Sequence, residues 1–197
     1  KLNASGYMVL PGIVDLHGDA FERQIMPRPG VSFPLTLAFL DTDRQLVANG
    51  ITTAYHGITY SWEPGLRGRE TVTKVMTALK NVSKRLGADT KCHLRFETFN
   101  FAAGDEVLNW ILDRNIDFLA FNNHLPSIRK KIQENQSLSQ FLERSGLEKD
   151  AFLQLVEKLS EREHETTKLV EKLAKTARDH SISMASHDDK TAATRRF

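Results

Sequence analysis

Cysteine is almost absent. Cys92 stands alone among 197 residues, so no internal disulfide can form and a small disulfide-stapled fold is excluded. Six prolines and eleven glycines are too few for a collagenous or Pro-rich low-complexity chain. The sequence has no run of about 18 apolar residues, so it offers no candidate transmembrane helix, and nothing in it resembles a secretory signal. An excess of one charge is missing too: 27 Lys and Arg face 25 Asp and Glu, a net charge of +2, with the two signs interspersed. That pattern predicts neither a nucleic-acid partner nor a membrane partner, while leaving room for a small anionic substrate. Together these absences lead to the expectation of a cytoplasmic protein.

What is present is an ordinary globular balance, 40% hydrophobic and 26% charged, on a chain long enough to bury a core. Lys1 has no Met before it and the chain opens directly on a strand-like phrase, so the expectation is a large fragment of a longer protein.

Strand-like and helix-like segments alternate. Tyr7 to Leu10 and Ile13 to His17 form an apolar run broken by Pro11-Gly12, which predicts a buried strand with a polar far end. Residues 35 to 49 predict a helix stopped by Gly50. Ile51 to Tyr55 predicts a strand ending at His56, and residues 71 to 86 a helix ending at Gly87. From His93 to Phe99 polar and apolar residues alternate, so a strand there projects His93, Arg95 and Glu97 from one face and Leu94 and Phe96 from the other. A short helix over 105 to 114, a strand over 118 to 121 with Asn122-Asn123-His124 at its end, and a strand over 182 to 187 complete the series. Between them, residues 127 to 180 predict a charged helical excursion in which Ser145-Gly146 separates two helices. Such alternation predicts a parallel sheet with crossover helices, either a β/α barrel or an open doubly wound sheet.

The histidines are unevenly placed. His164 and His180 fall in the excursion, whereas His17, His56, His93, His124 and His187 all lie in or just past predicted strands. In parallel α/β folds the C-terminal strand ends converge on one face, where ligands and catalytic groups gather, and imidazole with carboxylate suits zinc, manganese or iron. His17-Gly18-Asp19 offers two donors on one side of an extended segment. A carboxylate such as Glu97 near the end of an apolar strand needs a metal, a cation or hydrogen-bond donors around it; Arg95 on the same face supplies the ion-pair alternative. A lone strand-end histidine is more often a satisfied core or surface residue than a ligand, which applies to His56 and His93. Ser186-His187-Asp188-Asp189 reads equally as a ligand with carboxylates or as a helix-capping cluster.

The phrase Val9-Leu10-Pro11-Gly12-Ile13-Val14-Asp15-Leu16-His17-Gly18-Asp19 resembles the first barrel strand of the amidohydrolase superfamily, with its Pro-Gly-x-x-Asp-x-His-x-His/Asp motif. Pro27-Arg28-Pro29-Gly30-Val31, His93-x-Arg95-x-Glu97, Asn123-His124 and Ala185-Ser186-His187-Asp188-Asp189 resemble the diphosphatase branch that serves bacterial phosphonate breakdown. The resemblance implies an incomplete (β/α)8 TIM-type barrel carrying the helical excursion, with a small N-terminal β-domain and the closing strands outside residues 1–197. It implies one or two divalent metal ions, zinc foremost, held by His17, Asp19, Glu97, His124 and His187, with Glu97 bridging and with Glu97 and His187 as the catalytic pair. A last-strand aspartate that activates water in the superfamily is expected beyond Phe197. The implied reaction is pyrophosphate release from α-D-ribose 1-methylphosphonate 5-triphosphate.

Arg28, held between two prolines, and Arg95 are expected to bind substrate phosphates because guanidinium pairs bidentately with phosphate oxygens, and His56 is expected to line the pocket. Arg129, Lys130 and Lys131 read more readily as solvated charges than as helpers. Two rival readings share the sequence: a hydrolase of C–N bonds on the same metal centre, and a non-catalytic helical interaction module built on the excursion. Unpaired sheet edges in a fragment also predict pairing with more chain or with another copy, hence a possible homo-oligomer.

Overall fold

In the computed structural model, which describes residues 3–187 and Thr191, five parallel strands follow one another across a single sheet in the order β1-β2-β3-β4-β5. They are β1 (Ile13–Gly18), β2 (Ile51–Tyr60), β3 (Asp89–Glu97), β4 (Phe118–Asn122) and β5 (Ser183–Ser186). Helices α1 (Phe21–Ile25), α2 (Leu35–Ala48), α3 (Arg69–Val82), α4 (Gly104–Leu112) and α8 (Thr166–Asp179) occupy the connections, with α5 (Leu125–Gln133), α6 (Ser139–Ser145) and α7 (Lys149–Glu161) between β4 and α8.

The register explains the layering. Ile58, Leu94, Leu119 and Met184 are matched across β2 to β5, and this row packs with Phe39, Val72, Val75, Val107, Ile111 and Leu173 of the helices in one core. The alternate row carries Gly57 beside His93 and Thr59 beside Arg95, then Glu97 beside Asn122. Period-two alternation in β3 therefore sorts apolar side chains to the helices and polar ones to the other face. Gly50, past the end of α2, has φ +76°, the left-handed conformation that glycine tolerates best.

Three expectations need correcting. The TIM-type barrel is replaced by an α/β fold with an open, five-stranded parallel half-barrel sheet. Closure would require β1 to hydrogen-bond a late strand, and among the described residues β1 pairs only with β2 and β5 only with β4. For the same reason the first strand is not buried: Ile13, Val14 and Leu16 are each more than half exposed, and Tyr7 to Leu10 lie outside any strand. The second strand does not end at His56 but runs to Tyr60, pairing with β3 as far as Phe96. His56-Gly57 looked like a strand terminus, yet Gly57 is where the Arg95 stem crosses, and a Cβ there would lie 3.2 Å from Arg95 Cδ.

The excursion is not a detached module. Phe141, Phe152 and Val156 join Phe99, Leu125 and Ile128 in a second core, and the Trp62 ring packs 5.9 Å from Phe152. Helix α8 instead packs into the main core through Leu173 and Ala177. No helix among the described residues is long and apolar enough to cross a membrane.

Candidate metal centre

Four of the histidines gather on the polar face. The His17 ring lies 5.0 Å from His93 and is stacked at 5.2 Å on His187, and the His187 ring lies 6.0 Å from His124. Parallel strands with α-helical crossovers bring residues far apart in sequence to one face of the sheet, where His17, His124 and His187 at strand ends meet His93 from the middle of β3.

Glu97 ends β3 with its residue only 3% exposed. Its carboxylate accepts from His124 Nδ1–H and, at 3.3 Å, from the His124 backbone N–H. Arg95, also buried, does not clasp Glu97. Its guanidinium donates to His187 Nε2 at 3.4 Å and stands 3.9 Å from Asp19, while its Nε has no hydrogen-bond acceptor. Burial, with the nearby Arg67 guanidinium second, lowers the Arg95 pKa.

His93 donates through Nδ1–H to the Leu16 carbonyl at 2.8 Å, which fixes the tautomer and leaves the buried Nε2 as a lone pair without a partner. Burial pulls its pKa down to about 4. His17 is also lowered, first by burial and then by the Arg95 charge. Both rings are therefore neutral at pH 7, the form in which imidazole ligates metals.

The donor types present are ones a divalent cation accepts: imidazoles at 5 to 6 Å ring spacing, the buried Glu97 carboxylate and, beside them, the unpartnered His93 Nε2. The side chains are not drawn into a finished shell, since no group of three His, Cys, Asp or Glu among the described residues converges on one point.

Other expected residues fall elsewhere. His56 is 2% exposed and sits on the helix side of β2, edge-on to Phe21 and Phe39 at 5.6 and 5.5 Å; it belongs to the core. Arg28 is exposed in a turn closed by Val31 N–H donating to Arg28 O at 3.1 Å, and it lines a separate groove with Pro27, Phe33 and Leu37. Arg129 pairs with Glu163 at 3.3 Å on the surface, and Lys130 is solvated beside Glu134. Asp188 and Asp189 lie outside the described residues.

Sequence reading missed a second set of charged groups. A cavity of about 170 Å³ beside Glu97 and His124 is lined by Thr59, Glu63, Arg67, Gln140 and Arg144 among others. The Glu63 side chain is fully buried and paired with Arg144 from α6; burial pushes its carboxyl pKa up, against the pull of Arg144. Arg67 makes a bidentate pair with Glu22, at 3.1 and 2.7 Å. No motif flagged these residues, because Arg144 and Arg67 read locally as surface charges.

The chain is similar to the alpha-D-ribose 1-methylphosphonate 5-triphosphate diphosphatase of Escherichia coli (strain K12), with 26% identity over 199 aligned positions. That alignment covers 98% of this chain and 52% of the relative. The two proteins are distantly related, and the chain spans about half the length of the curated relative it matches. No family model matches the chain, and no solved structure does.

Proposed function

We propose that this protein is a metal-dependent hydrolase of the amidohydrolase type, and that it releases pyrophosphate from a ribose phosphonate triphosphate. The observation that carries this reading is the meeting of His17, His124 and His187 with the buried Glu97 at one end of a parallel sheet. The distant relationship to a diphosphatase supports the choice of substrate class.

When bound, a divalent cation such as zinc, manganese or iron lowers the pKa of water toward neutrality and neutralises phosphate charge. His17, Asp19, Glu97, His124 and His187 are the residues that would hold it. Glu97 Oε1 and His124 Nδ1 share a hydrogen bond, so this pair holds a proton at the candidate centre. Arg95 stands between Asp19 and His187, where it adds positive charge for a phosphate oxygen.

The test is metal content by mass spectrometry together with pyrophosphate release from the ribose compound and from ATP. Bound metal with release from the ribose compound is the expected result. Metal without release redirects the same centre to C–N bonds, and absence of metal removes the ligand set. His124→Ala should lower metal content and abolish turnover; unchanged stoichiometry would exclude His124 as a ligand.

A further inference from the structure

The cavity beside Glu97 and His124 is built from two regions far apart in sequence. The loop after β2 contributes Glu63 and Arg67, and α6 of the excursion contributes Gln140 and Arg144. The loop is firmly made: Ser61 N–H donates to Arg67 O at 2.8 Å, and Asn100 Nδ2 donates to Ser61 O at 2.9 Å. Helix α6 is locked onto it at Gly65, which has φ +80°; any Cβ there would collide with the Arg144 carbonyl and approach Ser145 O to 2.9 Å. Arg144 is further held with its guanidinium carbon 5.2 Å from the Phe141 ring centroid.

The hydrogen-bonding capacity left over in this cavity is dominated by donors. Arg144 spends only Nε on Glu63, so both of its terminal nitrogens remain, and Arg67 spends Nε and Nη2 on Glu22, so Nη1 remains. Two further lining residues carry buried groups without a partner, the Trp62 Nε1–H donor and the Thr59 hydroxyl, which can donate or accept; the Glu63 Oε2 acceptor is unpartnered too. A buried donor without an acceptor is costly, as at Trp62 Nε1, and a ligand rich in acceptors satisfies it together with the arginine N–H groups that line the cavity. At about 170 Å³, against about 30 Å³ for a water molecule, the space holds a group several times the size of water.

We infer that Arg67, Arg144 and Gln140 form a subsite for the diphosphate end of a polyphosphate substrate, with the helical excursion as the element that recognises it. The inference rests on the hydrolase reading above. Its place beside Glu97–His124 fits one cleavage: water adds to the phosphorus next to the sugar and releases a proton to solvent, the bond from that phosphorus to the bridging oxygen breaks, and the diphosphate leaves with the electron pair, held by guanidinium groups.

Titration calorimetry with inorganic diphosphate on the whole chain tests this directly. The parent protein is expected to bind it, and the double variant Glu63→Gln with Arg144→Gln, which keeps a neutral hydrogen-bonded pair in place of the buried ion pair, to bind it about tenfold or more weakly. Glu63→Gln alone removes the competing carboxylate and is expected to bind diphosphate more tightly. Gln140→Glu, at an exposed position that does not threaten folding, is expected to weaken binding by placing an anion at the rim. No binding by the parent overturns the subsite, as does unchanged affinity in the double variant or in Gln140→Glu. Metal content and triphosphate turnover, read on the same samples, keep the two ideas apart. Diphosphate binding without triphosphate turnover leaves the subsite standing and removes the diphosphatase reading, whereas turnover with an unchanged KM in the double variant does the reverse.

Discussion

Strands β1 and β3 carry similar apolar residues and meet opposite fates. Leu94 and Phe96 of β3 are fully buried, while Ile13, Val14 and Leu16 of β1 are 54%, 55% and 54% exposed. The difference is one of neighbours: β3 pairs on both sides and is covered by helices, whereas β1 pairs on one side only among the described residues. The candidate centre inherits this asymmetry. Glu97, from the middle of the sheet, is buried and hydrogen-bonded, whereas Asp19 and His17, from its margin, are exposed. A rigid half-site at the sheet centre thus faces margin donors that packing constrains less.

The sharpest way to break this comparison is to truncate both strands. Leu94→Ala is expected to cost about 3 kcal/mol, within the range for a well-packed core leucine, and Leu16→Ala less than about 1 kcal/mol, as for a surface position. Urea-denaturation midpoints measure both, and equal losses would show that β1 is buried in solution.

A second, comparably large effect separates the helix side of the sheet from its polar face. Burial holds His56 at about 4 in the folded state, below the ordinary histidine value of about 6.5. The unfolded chain therefore takes up the proton first as pH falls. The His56 contribution is fully present above about pH 6.5, declines between 6.5 and 4, and levels off below, for about 3 kcal/mol from this residue; His93, also held at about 4, adds to the loss over the same window. His56→Phe, which keeps an aromatic ring between Phe21 and Phe39, should reduce that slope by roughly half in denaturation curves taken across the range, leaving the His93 part. An unchanged slope would place the titrating group elsewhere.

The smallest of the three effects probes the junction of loop and excursion. Gly65→Ala forces a side chain into the carbonyls that end α6 at a positive φ and is expected to cost about 2 kcal/mol. Amide exchange should quicken in α6 while the amides of β3 stay protected; uniform protection would mean that α6 does not depend on this contact.

Much of the element order was legible from residues alone. The alternation His93, Arg95, Glu97 against Leu94, Phe96 placed two faces correctly because a strand's period is two, and Gly50 and Gly146 ended helices at φ +76° and +70° because glycine tolerates that conformation. Where reading failed, the signal was not local. His56 shares its surroundings in sequence with Gly57 and looked like a site residue, but its face of the sheet was set by strand β2 continuing to Tyr60. His93 looked like the start of a strand that in fact begins at Asp89.

By itself, then, the sequence determined the succession of strands and helices, the sorting of side chains to two faces, and the histidines and carboxylates that stand at strand ends. These follow from periodicity and backbone preference over a few residues. Only the tertiary structure decided that the sheet stays open among the described residues, that His56 and Arg28 stand apart from the cluster, and that Glu63, Arg67 and Arg144 meet beside Glu97. Those outcomes depend on which distant segments pack together, and an arginine on a helix looks the same in sequence whether it points at water or at a buried glutamate.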